Sequence, residues 1–118
     1  MAQADEFVAF VCDQLRPWSG VVAKRMFSSR GLFRNGTLFA LIRDDTLYLR
    51  TDERTVSDFL AAGMSPFRYN RAGRPAALDY HEVPADILDE PELLTAWAAK
   101  AYDAALRRAA ARPRRKRR

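Results

Sequence analysis

The chain predicts an α+β fold: an antiparallel meander sheet with an N-terminal helix, a short middle helix and a long C-terminal helix packed on it. Three observations carry this. Apolar residues recur at helical spacing near both ends of the chain, Asn35-Gly36 separates two apolar strand-like runs, and Asp44-Asp45 leads into a third. Switching from a period near 3.6 to extended runs and back is the pattern of helices laid on a sheet.

The elements follow in order. Residues 5–16 predict a helix, because Phe7, Val11 and Leu15 recur every fourth position, with Val8 and Phe10 widening the stripe. Asp5 suits its N-cap, and Pro17 stops it. Residues 21–27 alternate weakly, as a strand does. Asn35-Gly36 supplies the positive φ angles of a type I′ turn, so residues 31–34 and 37–43 pair as a hairpin. After the Asp44-Asp45 turn, Leu47-Tyr48-Leu49-Arg50 adds a further strand.

The run Leu38-Phe39-Ala40-Leu41-Ile42 is apolar at every position. A strand covered on one face alternates, so this run predicts cover on both faces, the second by a partner such as another copy of the chain. Residues 53–62 predict a short helix capped by Thr51 or Asp52, with Val56, Phe59 and Leu60 as its stripe and Gly63 at its end. Pro66 to Val83 is extended, with Asn70-Arg71-Ala72-Gly73 as a turn. Pro84 to Leu88 forms a helical turn. A long helix begins near Asp89 or Glu90, accepts Pro91 in its first turn, and buries Leu94, Trp97, Ala98, Ala101 and Ala105.

One domain of 1–111 and a disordered basic tail of 112–118 are expected. The 118 residues suit a single domain that needs no disulfide to hold its core. The net charge of +5 is unevenly placed. Residues 107–118 hold eight of the 20 basic residues and no acid, which leaves 12 basic against 15 acidic in residues 1–106, a body of net −3. Within that body, residues 16–50 hold seven basic and two acidic residues, and residues 79–103 hold seven acidic residues and only Lys100. The sequence Arg112-Pro113-Arg114-Arg115-Lys116-Arg117-Arg118 repels itself and has nothing to bury.

A single cysteine, Cys12, excludes an internal disulfide and fits the reducing cytoplasm. No secretory leader and no membrane span is expected. One His and one Cys give no zinc pattern, the acids lack calcium-loop spacing, and isolated glycines make no phosphate loop, so no cofactor or metal is expected. His81 is the only imidazole base, in a strand-like segment without a nucleophile motif, and reads as structural or surface. An enzyme would need His81 to face Asp79 or a serine in a buried pocket. Phe27, Phe33, Phe39, Tyr48, Phe67, Tyr69 and Tyr80 interleave with arginines, as in sheets that stack single-stranded bases. Strands favour aromatics anyway, and core packing is the expected role.

The ordered set Lys24-Arg25-Met26-Phe27, Gly31-Leu32-Phe33, Asn35-Gly36, Leu38-Phe39-Ala40-Leu41-Ile42 and Leu47-Tyr48-Leu49-Arg50 resembles the TfoX N-terminal domain family. Ala61-Ala62-Gly63, Pro66-Phe67-Arg68-Tyr69, Gly73-Arg74, Asp79-Tyr80, Val83-Pro84, Leu88-Asp89-Glu90-Pro91-Glu92-Leu93 and Trp97 continue it in the family's order. The resemblance spans roughly residues 5–106. Ser28-Ser29 stand where the family usually has two glycines, and Arg74 where it usually has lysine. The resemblance implies a small α+β domain of bacterial regulators of natural competence, without catalytic residues to carry over.

Resemblance and charge together predict a non-enzymatic, cytoplasmic regulatory or adaptor domain. It works by contact with a protein of the transcription machinery or a regulator, near DNA, with the tail assisting. Lys24, Arg25, Arg30 and Arg34 are the expected contact residues on the body. Arg112, Arg114, Arg115, Lys116, Arg117 and Arg118 are those of the tail, where nucleic acid is the expected partner. The alternative is direct nucleic-acid binding by the basic hairpin face and the tail.

Overall fold

A computed structural model describes residues 2–26 and 29–111, with the side chains of 2–5, 70, 71, 75 and 76 left aside. The tail residues 112–118, Phe27 and Ser28 lie outside what is described. The first helix begins at Ala2 and ends at Gln14, so Asp5 stands within it and does not cap it, and residues 15–17 form a turn rather than its last residues. Among the described residues, ten elements run in chain order: α1 (Ala2–Gln14), β1 (Val21–Met26), β2 (Ser29–Arg34), β3 (Thr37–Arg43), β4 (Thr46–Arg50), α2 (Val56–Ala61), β5 (Pro66–Arg71), β6 (Arg74–Glu82), α3 (Ala85–Leu88) and α4 (Pro91–Ala111). The strands form one antiparallel sheet in the order β1-β2-β3-β4-β6-β5. The expected α+β architecture is therefore present.

Turn chemistry sets the meander. Asn35 and Gly36 take φ of 52° and 81°, and Asp44 and Asp45 take 52° and 55°, so both two-residue loops sit in the left-handed region that primed turns require. Ala72 and Gly73, at 51° and 80°, close the β5–β6 hairpin the same way. The chain crosses from β4 to β5 through α2, which brings β6 rather than β5 next to β4.

The helices pack on one face of the sheet. Val11 and Leu15 from α1 meet Leu32, Phe39, Ala40, Ile42, Leu47 and Leu49 from the strands and Leu94, Ala98, Ala101 and Ala105 from α4. Four buried alanines on α4 (Ala98, Ala101, Ala104 and Ala105) let its backbone lie close to the sheet, and contacts this dense are what a core is made of. Leu94, Ala98, Ala101 and Ala105 are buried as expected from their spacing, whereas Trp97 is half-buried and meets Phe59 edge-on at 4.8 Å.

Other details also differ from the sequence expectations. The middle helix is shorter, because residues 52–55 are taken by a turn in which the Asp52 Oδ1 accepts from the Arg54 and Thr55 amides at 3.0 and 3.2 Å. Thr55 then occupies the N-cap position, and Leu60 points outward at 55% exposure while Phe59 is fully buried. Successive helical residues point about 100° apart, so with Phe59 turned inward its neighbour Leu60 turns out.

The apolar run of β3 has its own cause. The β2–β3 register slips between Leu32 and Phe33, which pair with Ala40 and Leu38 and leave Phe39 as a bulge. A bulge sets two residues against one, so Phe39 and Ala40 both enter the helix-side core. Leu38 and Leu41 turn to the other face. There Leu41, Phe67 and Tyr80, with Met26, Leu38, Tyr48 and Tyr69 against them, form a second cluster that, among the described residues, draws on strands alone.

Candidate contact surfaces

Strand alternation divides the expected contact residues. In β1, Lys24 pairs with Gly31 and Arg25 pairs with Arg30, so the two basic neighbours face opposite sides of the sheet. Lys24 lies on the helix-free side, with Nζ 5.3 Å above the Phe33 ring. Arg25 and Arg30 stand side by side on the other side, in line with Ile42, which Arg30 opposes across the β2–β3 pair.

Arg34 is taken up by the fold. Its guanidinium lies 4.3 Å from the Trp18 ring centre and 5.0 Å from that of Tyr102, and its Nε donates to the Ser19 carbonyl at 2.8 Å. Trp18 and Tyr102 meet edge-on at 5.6 Å, and each packs against Phe39. Such stacking suits the flat, delocalised arginine head. The structure thus does not gather Lys24, Arg25, Arg30 and Arg34 into one patch, and the six tail residues lie beyond the described chain.

A groove of about 790 Å³ opens between the end of β4, β6 and the last turns of α4, lined by Arg50, Asp52, Asp79, His81, Arg107 and Arg108 among others. Asp52 accepts from Arg107 Nε at 2.7 Å and from Nη2 at 3.1 Å. These bonds hold the Asp52 carboxyl below its ordinary value, with the Arg54 amide helping and partial burial opposing.

His81 and Asp79 share this groove, which is half of the arrangement an enzyme would need. The groove is open, and no serine lines it among the described residues. His81 is 5% exposed, shares a 3.2 Å hydrogen bond between Nδ1 and Thr51 Oγ1, and lies 6.0 Å from the Phe59 ring. Burial pushes its pKa down, and the Asp79 charge opposes that shift. Cys12 is half-buried, and burial raises its thiol pKa, which suits packing rather than reaction.

Arg50 is a residue that sequence reasoning passed over. Its Nη1 donates to the Tyr80 hydroxyl at 3.1 Å with the guanidinium 5.0 Å from that ring, while its Nε is buried without a partner among the described residues. Nothing local in the sequence marks it, since Tyr80 is 30 positions away. The aromatics expected in the core divide likewise. Phe39 joins the helix-side core, whereas Tyr48, Phe67, Tyr69 and Tyr80 belong to the helix-free cluster. Among the described residues, no group of three or more His, Cys, Asp or Glu is placed to hold a metal ion, and no helix is long and apolar enough to cross a membrane.

The TfoX N-terminal domain family matches residues 13–105, and the chain belongs to this family. Membership makes it a domain of the competence-regulator type. No curated protein matches the chain.

Proposed function

We propose that this domain is a non-enzymatic regulatory adaptor of the cytoplasm that meets its partner, a transcription regulator or a component of the transcription machinery, while its basic tail rests on nucleic acid. The observation that carries this reading is the polarity of α4. Its 21 residues make a rod of about 31 Å. Asp89, Glu90 and Glu92 cluster at its start, and Arg108 stands in its last turn beside the Asp52-paired Arg107, three alanines before the six basic residues of 112–118.

A phosphate backbone attracts the tail end and repels the acidic end. The body is thereby held off the duplex, with its surface free for protein. The non-enzymatic reading is supported by the engagement of His81 with Thr51 inside the fold.

The test is anisotropy of a labelled duplex across a salt series, with the full chain and with a full-length variant carrying serine at Arg112, Arg114, Arg115, Lys116, Arg117 and Arg118. The wild type should bind without regard to sequence, with affinity falling about 0.9 log units per contacted phosphate for each tenfold rise in salt. The variant should not bind. Retained binding by the variant would assign nucleic-acid contact to the body and overturn this reading.

A further inference from the structure

Five residues of the helix-free face stand in one row across the sheet. Lys24 pairs with Gly31, Gly31 with Leu41, Leu41 with Tyr48, and Tyr48 with Glu82. Residues directly opposite in antiparallel strands project on the same side, so the row is a single line on that face. A cation stands at one end, an anion at the other, and Leu41 at the centre, two strands from each.

Lys24 and Glu82 are both exposed, and neither makes an ion pair among the described residues. The ground between them is apolar. Leu41 belongs to the helix-free cluster with Tyr48, and Met26 and Leu38 close over Gly31. Val22, which pairs with Phe33 next to this row, is 52% exposed, and Leu78 on β6 is 37% exposed.

From this arrangement we infer that the helix-free face is a self-complementary interface, on which a second copy of the chain packs sheet against sheet. The symmetry follows from the row. A two-fold axis between the sheets, parallel to β3 and passing by Leu41, exchanges left and right of the row while keeping the strand direction. Leu41, only 8% exposed beneath its cluster, then lies on the axis without being a contact itself, and Lys24 meets Glu82 of the second copy at both ends. A two-fold axis along the row would instead set Lys24 on Lys24 and Glu82 on Glu82. Charge therefore selects one of the two symmetric arrangements, as an isologous dimer requires.

The dimensions agree with a modest dimer. Five strand intervals of about 4.8 Å and about five residues of 3.3 Å give a face of roughly 24 by 17 Å. That is about 400 Å² in projection, smaller than the ~800 Å² per partner of standard interfaces. A face of this size belongs with weak, transient association. Aligned sheet packing places the two faces about 10 Å apart, within reach of a lysine and a glutamate side chain.

The experiment is sedimentation velocity of the full chain over a concentration series, with Lys24→Glu, Glu82→Lys and the double variant. Circular dichroism checks that each variant is folded, as exposed sites allow. The wild type should pass to about twice the 13.4 kDa chain mass. Each single reversal puts two like-charged contacts in the dimer and should weaken it by about tenfold or more. The double variant restores both contacts with signs exchanged and should dimerise like the wild type.

A wild type that stays monomeric at about 1 mM, the weakest affinity of interest, overturns the inference. So does a dimer that ignores the single reversals, or one that the double variant fails to restore. A monomer that binds a labelled single strand, with binding lost on Tyr48→Ala, would assign this face to nucleic acid instead.

Discussion

The Asp52 carboxylate accepts both Nε and Nη2 of Arg107, joining the turn after β4 to the last turns of α4 across 55 positions of sequence. The same carboxylate holds the Arg54 and Thr55 amides ahead of α2. Asp52→Ala should therefore cost about 1–3 kcal/mol, since it leaves a charged donor and two amides without an acceptor. Urea denaturation would read the loss.

The same pair sets an acid limit. The Asp52 pKa is lowered in the fold from its ordinary 3.8, so its contribution is whole above that value. It is lost as pH falls through the depressed folded value, where the unfolded chain holds the proton more tightly. Asp52→Asn should flatten the stability profile in that range relative to the wild type.

His81 gives a second pH dependence with a different window. Its folded pKa lies below the ordinary 6.5. Above 6.5 the ring is neutral in both states and stability is full. Below it, the unfolded chain takes the proton first, and stability declines until the folded value is reached. His81 is the chain's only histidine, so the slope between about pH 5 and 7 belongs chiefly to it. Thermal unfolding against pH should show this slope, and His81→Gln should remove it. Asp79→Asn removes the charge that favours the protonated ring and should steepen the decline.

Arg34 is expected to act on stability rather than on partner binding. Arg34→Ala gives up two ring contacts and the bond to Ser19, at a cost of about 1–2 kcal/mol. Arg34→Lys keeps the charge but not the flat head or the Nε donor, and should recover less than half. A midpoint unchanged in both variants would contradict this role.

Gly31 should not tolerate a side chain. A Cβ there would stand 2.9 Å from Leu38 Cδ1 and 3.0 Å from Phe33 Cε1, and closer still to the Met26 sulfur. Gly31→Ala should destabilise by about 1 kcal/mol, because the crowded atoms are side-chain ends that can move. Adding Met26→Ala should relieve part of the loss.

The local elements were legible in the sequence because each has a local cause. Asn35-Gly36 and Asp44-Asp45 adopt the positive φ values that their residue types tolerate, and Val11, Leu15, Leu94, Ala98 and Ala101 are buried where four- and three-residue spacing puts them. The inner position of β6 was not legible, because it depends on how α2 carries the chain across, not on any pattern within residues 66–83. The apolar run of β3 pointed to two covered faces, and part of its cause is the bulge at Phe39, which depends on the register with β2. Lys24 parts from the other three expected contact residues of the body for an elementary reason. Adjacent strand residues such as Lys24 and Arg25 face opposite ways, and the aromatic partners of Arg34 come from the connection before β1 and from α4.

At Arg34, the connection after α1, the first hairpin and the last helix meet in one stack of side chains. A fluctuation that lifts α4 must also uncover the hairpin and loosen the connection after α1. Partial opening should therefore be rare here. Amide protons in β2, β3 and the second half of α4 should exchange with solvent at one common, slow rate set by global unfolding.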